Sequence, residues 1–399
     1  MTNFINKAQA LFGYTQVLRR DFHLHPELGF EEIRTAGIVA KELHALDLEV
    51  ITGVAETGVV ALLEGAKPGP VLLLRFDMDA LPIQEETQAE YASQNPKKMH
   101  ACGHDGHIAI GLTVAKILNE IRENIAGSVK FIFQPAEEGT VNQNGMGGAE
   151  QMMAEGILEN PKVDYALALH LWNEKPLGWL GIGAGPMMAG AEYFKVTLYG
   201  KGGHGAVPQT TIDPVLAISE IVSTLQSVVA RNVSPLQPAL LTVASLHAGE
   251  AFNVIPPKAE MTGTIRTFEK EVRETVIQRF KEIVKNTAKA MGCKAEIELK
   301  RISPAVINNA EVTAQVQKAA RKIYPKTEID TKNYLTMGAE DMSFVLDKVP
   351  GCYFFVGSAN ELKALNYAHH HPKFDFDEEA LPRATALMAG ATMEILGIK

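Results

Sequence analysis

The sequence predicts an α/β protein, a sheet with helices on both faces, interrupted by a smaller βαββαβ insertion. Three observations carry that expectation. Continuous apolar runs such as Val71-Leu72-Leu73-Leu74 read as strands buried on both faces. These runs alternate with amphipathic stretches of helical length, as expected of helices packed on a sheet. From about residue 187 the texture changes to half-exposed alternation, and Pro304 marks the return. The expected division is therefore 1–186 and 303–399 as two parts of one domain, with 187–302 inserted between them.

Taken in order, helices are expected near 4–22 and 31–46. The Pro and Gly of His23-Leu24-His25-Pro26-Glu27-Leu28-Gly29 break the pattern between them. His23 and His25 could be ligands, although a structural role is the simpler reading. The run Val71–Phe76 ends in Asp77-Met78-Asp79, two carboxylates just past a strand's carboxyl end, where open α/β sheets place their sites. A helix should start at His104 and run to about Asn124. The strand Ser128–Gln134 then terminates in Pro135-Ala136-Glu137-Glu138-Gly139, and after a helix near 146–156 the strand from Val163 ends in His170-Leu171-Trp172.

In the insertion, strands near 192–199, 239–247, 258–267 and 294–301 and helices near 212–231 and 269–291 give the split βαβ order. That order is a four-stranded antiparallel sheet with two helices on one face. The last hundred residues resume the first texture. They hold a helix near 309–323, a loop through Met337–Ser343, a short strand at 352–356, and then His369-His370-His371-Pro372.

The chain's 399 residues can bury a large core, and 46% apolar with 21% charged residues is ordinary globular composition. A net charge of −9 and a pI of about 5.8 favour neither nucleic acid nor an anionic membrane face. Met1–Lys7 lacks a secretory pattern and no apolar run reaches membrane-spanning length, so a cytoplasmic protein is expected. Three scattered cysteines argue against a disulfide framework.

The densest chemistry is Met99-His100-Ala101-Cys102-Gly103-His104-Asp105-Gly106-His107. A thiolate, imidazoles and carboxylates packed this closely are borderline-soft metal ligands. Adding Glu138, His170 and one of His369–His371 gives more donors than one structural zinc needs, dispersed over most of the chain. Such dispersal points to a catalytic centre, with room for two metals about 3.5–4 Å apart. Glu137, beside Glu138, can stay free to take a proton from water and pass it to a leaving nitrogen.

Five motifs then carry a resemblance: His-Ala-Cys-Gly-His-Asp-Gly-His, Phe-Gln-Pro-Ala-Glu-Glu-Gly, Leu-His-Leu-Trp, Gly-Gly-His-Gly-Ala-Val-Pro and His-His-Pro-Lys-Phe. In this order, over essentially the full chain, they resemble the amidohydrolase branch of the metallo-aminoacylase/carboxypeptidase family. That branch includes hippurate hydrolases, N-acyl-L-amino-acid amidohydrolases and plant indole-acetyl-amino-acid hydrolases. The resemblance implies a zinc-peptidase-like catalytic domain on a mixed sheet, with the ferredoxin-like insertion serving as lid and dimerisation surface. It also implies two divalent ions per subunit (Mn²⁺, Zn²⁺, Co²⁺ or Ni²⁺). Cys102 would bridge them, with His104 and His170 completing one metal site and Glu138 and His370 the other. His370 is selected over its neighbours because the family's last ligand precedes Pro by two positions.

Glu137 matches the general base. Asp79 matches the carboxylate that orients a ligand histidine, with Asp77 an equal candidate from the sequence. His204 resembles the lid histidine that stabilises the oxyanion, and Asn253 and Arg266 match substrate-contacting lid positions, the arginine suited to a bidentate grip on a carboxylate. The implied substrate is a small N-acyl amino acid, and the implied assembly a homodimer or tetramer. Two departures from the peptidase branches, Cys102 for a bridging aspartate and Arg75-Phe76-Asp77 for a metal-binding histidine, favour small N-acyl amino acids over long peptides. The alternatives are a metallo-dipeptidase on the same scaffold, a non-catalytic metal-binding protein, and a cysteine hydrolase using Cys102 with His104.

Overall fold

A computed structural model of the chain describes residues 3–332 and 334–397. It divides into two units, 1–187 with 307–335 and 341–399, and 188–306 with 336–340. The first unit holds an eight-stranded mixed sheet in the order Glu49–Val54, Gly58–Glu64, Ala126–Gln134, Lys67–Asp77, Tyr165–Pro176, Gly351–Ala359, Leu180–Gly181, Ile329–Asp330. The four central strands, from Ala126–Gln134 to Gly351–Ala359, run parallel. Their carboxyl ends therefore share one edge. Asp77 lies opposite Gln134, and Phe355 opposite His170.

The apolar runs are buried along these strands because the helices Phe12–Leu24, His104–Glu120, Ala310–Ile323 and Ala380–Leu396 share their core. Leu72, Leu74, Phe131, Phe133, Leu167 and Phe354 meet Phe22, Ile108, Leu112, Val316 and Leu387 in that core. The helix His104–Glu120 is buried on nearly every face. It lies so close to the sheet that a Cβ at Gly111 would meet the Phe76 ring at 2.6 Å. The expected first helix is divided at Leu11 into Phe4–Ala10 and Phe12–Leu24.

In the second unit the strands Gly190–Tyr199, Ala239–Ala248, Lys258–Thr267 and Lys294–Ser303 form an antiparallel sheet. Their spatial order is second, third, first, fourth. The helices Pro214–Asn232 and Lys270–Ala290 pack Ile218, Ile221, Leu225, Val276, Phe280 and Val284 against Phe194, Val196, Leu198, Met261 and Ile265. In Lys270–Ala290 the buried positions Val272, Val276, Phe280, Ile283 and Val284 recur every three or four residues, one stripe of an otherwise charged helix. The first of these helices starts at Pro214 rather than near 212. Asp213 accepts hydrogen bonds from the Val215 and Leu216 N–H groups, and proline suits the first helical turn. No helix among the described residues is long and apolar enough to cross a membrane.

Candidate metal centre

The carboxyl edge of the parallel strands gathers most of the predicted ligands. Gly103, at φ +94°, makes a turn that an L side chain resists, and it starts the helix with His104. His104 Nδ1 donates to the Asp79 carbonyl oxygen at 2.9 Å, with Asp79 Oδ1 at 3.3 Å. That bond puts the proton on Nδ1 and leaves Nε2 as a lone pair, and Nε2 has no hydrogen-bond partner among the described residues. His170 is set the same way, its Nδ1 on the Leu171 carbonyl at 2.7 Å and its Nε2 3.4 Å from Cys102 Sγ. Glu138 Oε2 lies 3.3 Å from His370 Nε2, and Oε1, buried and without a partner among the described residues, lies 3.9 Å from His104 Nε2.

These atoms fit a cation. Ligand atoms of Cys102, Glu138 and His370 lie within 4.8 Å of one another, as do those of His104, Glu137 and Glu138, of Cys102, His170 and His369, and of Asp77, His104 and His107. Sulfur, imidazole nitrogen and carboxylate oxygen together make a borderline donor set. The electrostatics agree. Burial disfavours a charged His104, but Asp77, Asp79 and Glu138 outweigh it and carry its pKa up to about 10. A proton there takes the place that a divalent ion would fill. Burial pushes the Cys102 thiol far up, and the charges of Glu138, Glu137 and Asp77 push it further, an order that a bound divalent cation reverses.

In the Asp77–His104–His107 group, His107 has both nitrogens engaged. Nδ1 donates to Asp77 Oδ1 at 2.6 Å and Nε2 accepts from the Leu171 N–H at 3.0 Å. Asp77 also takes a bond from Arg75, whose buried guanidinium reaches Gln134 Oε1 and Asp341 Oδ1 at 2.9 Å each. Asp79 differs. Its carbonyl and carboxylate face His104, and Oδ2 accepts the Glu138 N–H at 2.9 Å, so one residue touches two of the predicted ligands.

Residues 73–394 match the model of peptidase family M20/M25/M40. The chain belongs to that family. It is an enzyme of this amidohydrolase and peptidase group. Among its relatives, "Thermostable carboxypeptidase 1" of Saccharolobus solfataricus is 39% identical, over 91% of this chain and 91% of that one. "N-acetylcysteine deacetylase" of Bacillus subtilis is 37% identical, over 95% and 96%. The crystal structure of the Bacillus subtilis protein YXEP, described as a dinuclear metal binding peptidase from M20 family, superposes with a TM-score of 0.84 at 33% identity, covering 97% of this chain and 99% of that one.

The remaining predicted residues of this family member lie in its second unit. His204 and Asn253 are neighbours there. His204 pairs with Val254 across a two-stranded ladder, and the Gly205 N–H donates to the Asn253 carbonyl at 2.8 Å. His204 is exposed, and its Nδ1 accepts from the Ala206 N–H at 3.0 Å, which leaves the proton on Nε2. Arg266 lies on a different strand, half-buried and bonded to Thr264 Oγ1, and burial lowers its pKa.

Sequence reasoning weighed His369 only as an alternative to His370 and set it aside, and it assigned nothing to Glu32. His369 Nε2 accepts from the Asn173 N–H at 3.1 Å, and its ring lies 5.0 Å from those of His170 and Trp172. Its signal was only its place in a run of three histidines, of which His371 accepts from the Lys373 N–H and stacks on Tyr367. Glu32 is fully buried and accepts from Thr57 Oγ1 at 2.5 Å and from the Ala136 N–H at 2.9 Å, bracing the turn at Ala136 (φ +50°) that presents Glu137 and Glu138. No local pattern marks it. His23, weighed as a ligand, is instead a buried partner of Asp105 at 2.7 Å and Glu85 at 3.2 Å.

Proposed function

We propose that this protein hydrolyses the amide bond of small N-acyl-L-amino acids, N-acetyl or N-benzoyl, using two divalent metal ions. The observation that carries the reading is the convergence of Cys102, His104, Glu138, His170 and His370, with the lone pairs of His104 Nε2 and Glu138 Oε1 unspent, beside a second carboxylate at Glu137. Cys102 would hold both ions, with His104 and His170 on one and Glu138 and His370 on the other. Bound there, such ions lower the pKa of water and polarise a carbonyl.

The chain's own groups do the rest. Glu137 takes the proton of the attacking water and passes it to the leaving nitrogen. Asp79 fixes the tautomer of His104 and holds the backbone of Glu138. In the second unit, His204 Nε2–H is a donor for the oxyanion, and Arg266 with Asn253 takes the substrate's carboxylate end. Arg266 suits that role because it is half-buried and, among the described residues, donates to Thr264 Oγ1 and the Ile265 carbonyl rather than to a carboxylate. We also infer a homodimer through this lid unit. Leu240 and Leu246 are exposed on Ala239–Ala248, an edge strand of the sheet.

A second reading, a metallopeptidase on the same scaffold, is favoured by the name of the Saccharolobus relative. Hydrolysis of N-acetyl- and N-benzoyl-amino acids against free-amine dipeptides and against the corresponding N-acyl amino-acid amides separates the two. The proposal expects turnover of the acyl amino acids, little of the dipeptides, and a raised KM where the amide replaces the carboxylate. Preference for the dipeptides would overturn it.

A further inference from the structure

Asn173 stands three residues beyond His170 on the strand Tyr165–Pro176, is 1% exposed, and has no part in the chemistry above. All its hydrogen-bonding groups save the carbonyl are directed at one loop or its support. The side-chain Nδ2 donates to the Tyr367 carbonyl and to the Asp375 carbonyl, each at 2.9 Å. Oδ1 accepts from Ser358 Oγ at 3.1 Å, and the backbone N–H donates to His369 Nε2 at 3.1 Å. Of the two ends of the side-chain amide only the nitrogen can donate to carbonyls, and it serves two, so the orientation of the side chain is fixed by its partners.

Tyr367 and Asp375 are the two ends of the loop that carries His369–His371. Within that loop His370 sits at φ +65°, a backbone conformation a histidine seldom adopts, and its side chain is about half exposed. Among the described residues, its own contacts are the N–H donated to the Ala101 carbonyl at 2.8 Å and the approach to Glu138. We propose that Asn173 is a positioning residue that clamps the two ends of this loop together and so holds His370 at Glu138 and Cys102. The proposal rests on reading His370 as a metal ligand.

The test is Co²⁺ titration of the chelator-stripped full chain, followed by equilibrium dialysis and by visible absorbance, for wild type, Asn173→Asp, His370→Ala and the double variant. Asn173→Asp keeps the shape of the side chain but removes both donors and faces two carbonyls with an oxygen. Two binding steps are expected for the wild type, with one weakened about 10–100-fold in Asn173→Asp and the other unchanged. His370→Ala should weaken the same step, and the double variant should be no worse than His370→Ala alone. Ser358→Ala, which spares both donors, should show a smaller loss. If Asn173→Asp fails to fold by circular dichroism, Asn173→Ala, which loses both donors without adding charge, takes its place in the same titration.

Wild-type affinity at both steps in a folded Asn173 variant overturns the proposal, as does equal weakening of both steps. Two intact steps in His370→Ala overturn instead the ligand reading beneath it.

Discussion

The two units carry their chemistry-bearing residues in opposite ways. In the first, Cys102, His104 and His170 are buried, and each imidazole is held by a second group that decides which nitrogen is free. In the second, His204 and Asn253 are exposed and bonded mainly to their own backbone neighbourhood. In the first unit the groups proposed to hold ions at Cys102, His104 and His170 are built into the core and fixed before any ligand arrives, whereas His370, also proposed to hold one, is about half exposed. Groups proposed to meet a substrate are displayed on a small sheet whose stability does not depend on them. Loss of a buried ligand or of the network around it in the first unit should therefore cost both chemistry and stability, whereas loss of His204 or Asn253 in the second should cost chemistry alone.

The largest expected effect isolates chemistry within the first unit. Glu137→Gln should lower kcat by about 10²–10⁴ with metal content unchanged, measured by turnover beside elemental analysis of the same sample. Undiminished turnover would remove Glu137 from the base role.

Arg19 probes stability in that unit. It is fully buried, with Nε on Asp105 Oδ2 at 2.8 Å and NH2 on Asp375 Oδ1 at 2.6 Å, and its guanidinium lies over Phe376. It thereby joins the start of the His104 helix to the far end of the histidine loop. Arg19→Ala removes the cation shared by two buried carboxylates, leaving Asp105 to His23 and Asp375 to the Tyr91 hydroxyl, and should destabilise the fold by about 3–5 kcal/mol in urea unfolding. A loss under 1 kcal/mol would show that this charge network is not what holds the two segments together.

The counterpart in the second unit is His204→Ala. Its kcat should fall by about 10²–10³ while the melting temperature stays within that of a surface substitution. A fall in melting temperature equal to that of a core variant would erase the contrast between the units.

The smallest effect is a pH dependence. Burial lifts the Glu32 carboxyl from 4.5 to about 8, with the charge of Asp79 adding to it. Between those values the folded state keeps a proton that the unfolded chain has lost. The stability Glu32 contributes is thus fully present below about pH 4.5 and is lost as pH rises through 8. Glu32→Gln can still accept from the Ala136 N–H, and it should flatten this part of the melting-temperature profile. An unchanged profile would assign the pH dependence elsewhere.

Much of this was legible in the sequence because its signals are local. Val71–Phe76 and Ser128–Gln134 are apolar over the length of a buried strand, and the donors sit just past their ends. The charged helix from Lys270 announces itself by its stripe. The segment 47–66 and the chain after 379 gave no such signal. Ala380–Leu396 is apolar on nearly all sides, so it has no periodicity to read, and it is buried between other helices. Glu32, Arg19 and Asn173 were hidden for another reason. Their partners are remote in sequence: Ala136 for Glu32, Asp375 for Arg19, and Tyr367 for Asn173. Their roles exist only once the chain has folded.

The most direct test of the central claim is release of free amino acid from an N-acetyl- or N-benzoyl-amino acid by chelator-stripped protein, before and after addition of Mn²⁺, Co²⁺, Ni²⁺ or Zn²⁺. The account predicts a silent stripped protein and turnover restored by metal. Full turnover by protein that elemental analysis shows to be metal-free would contradict it.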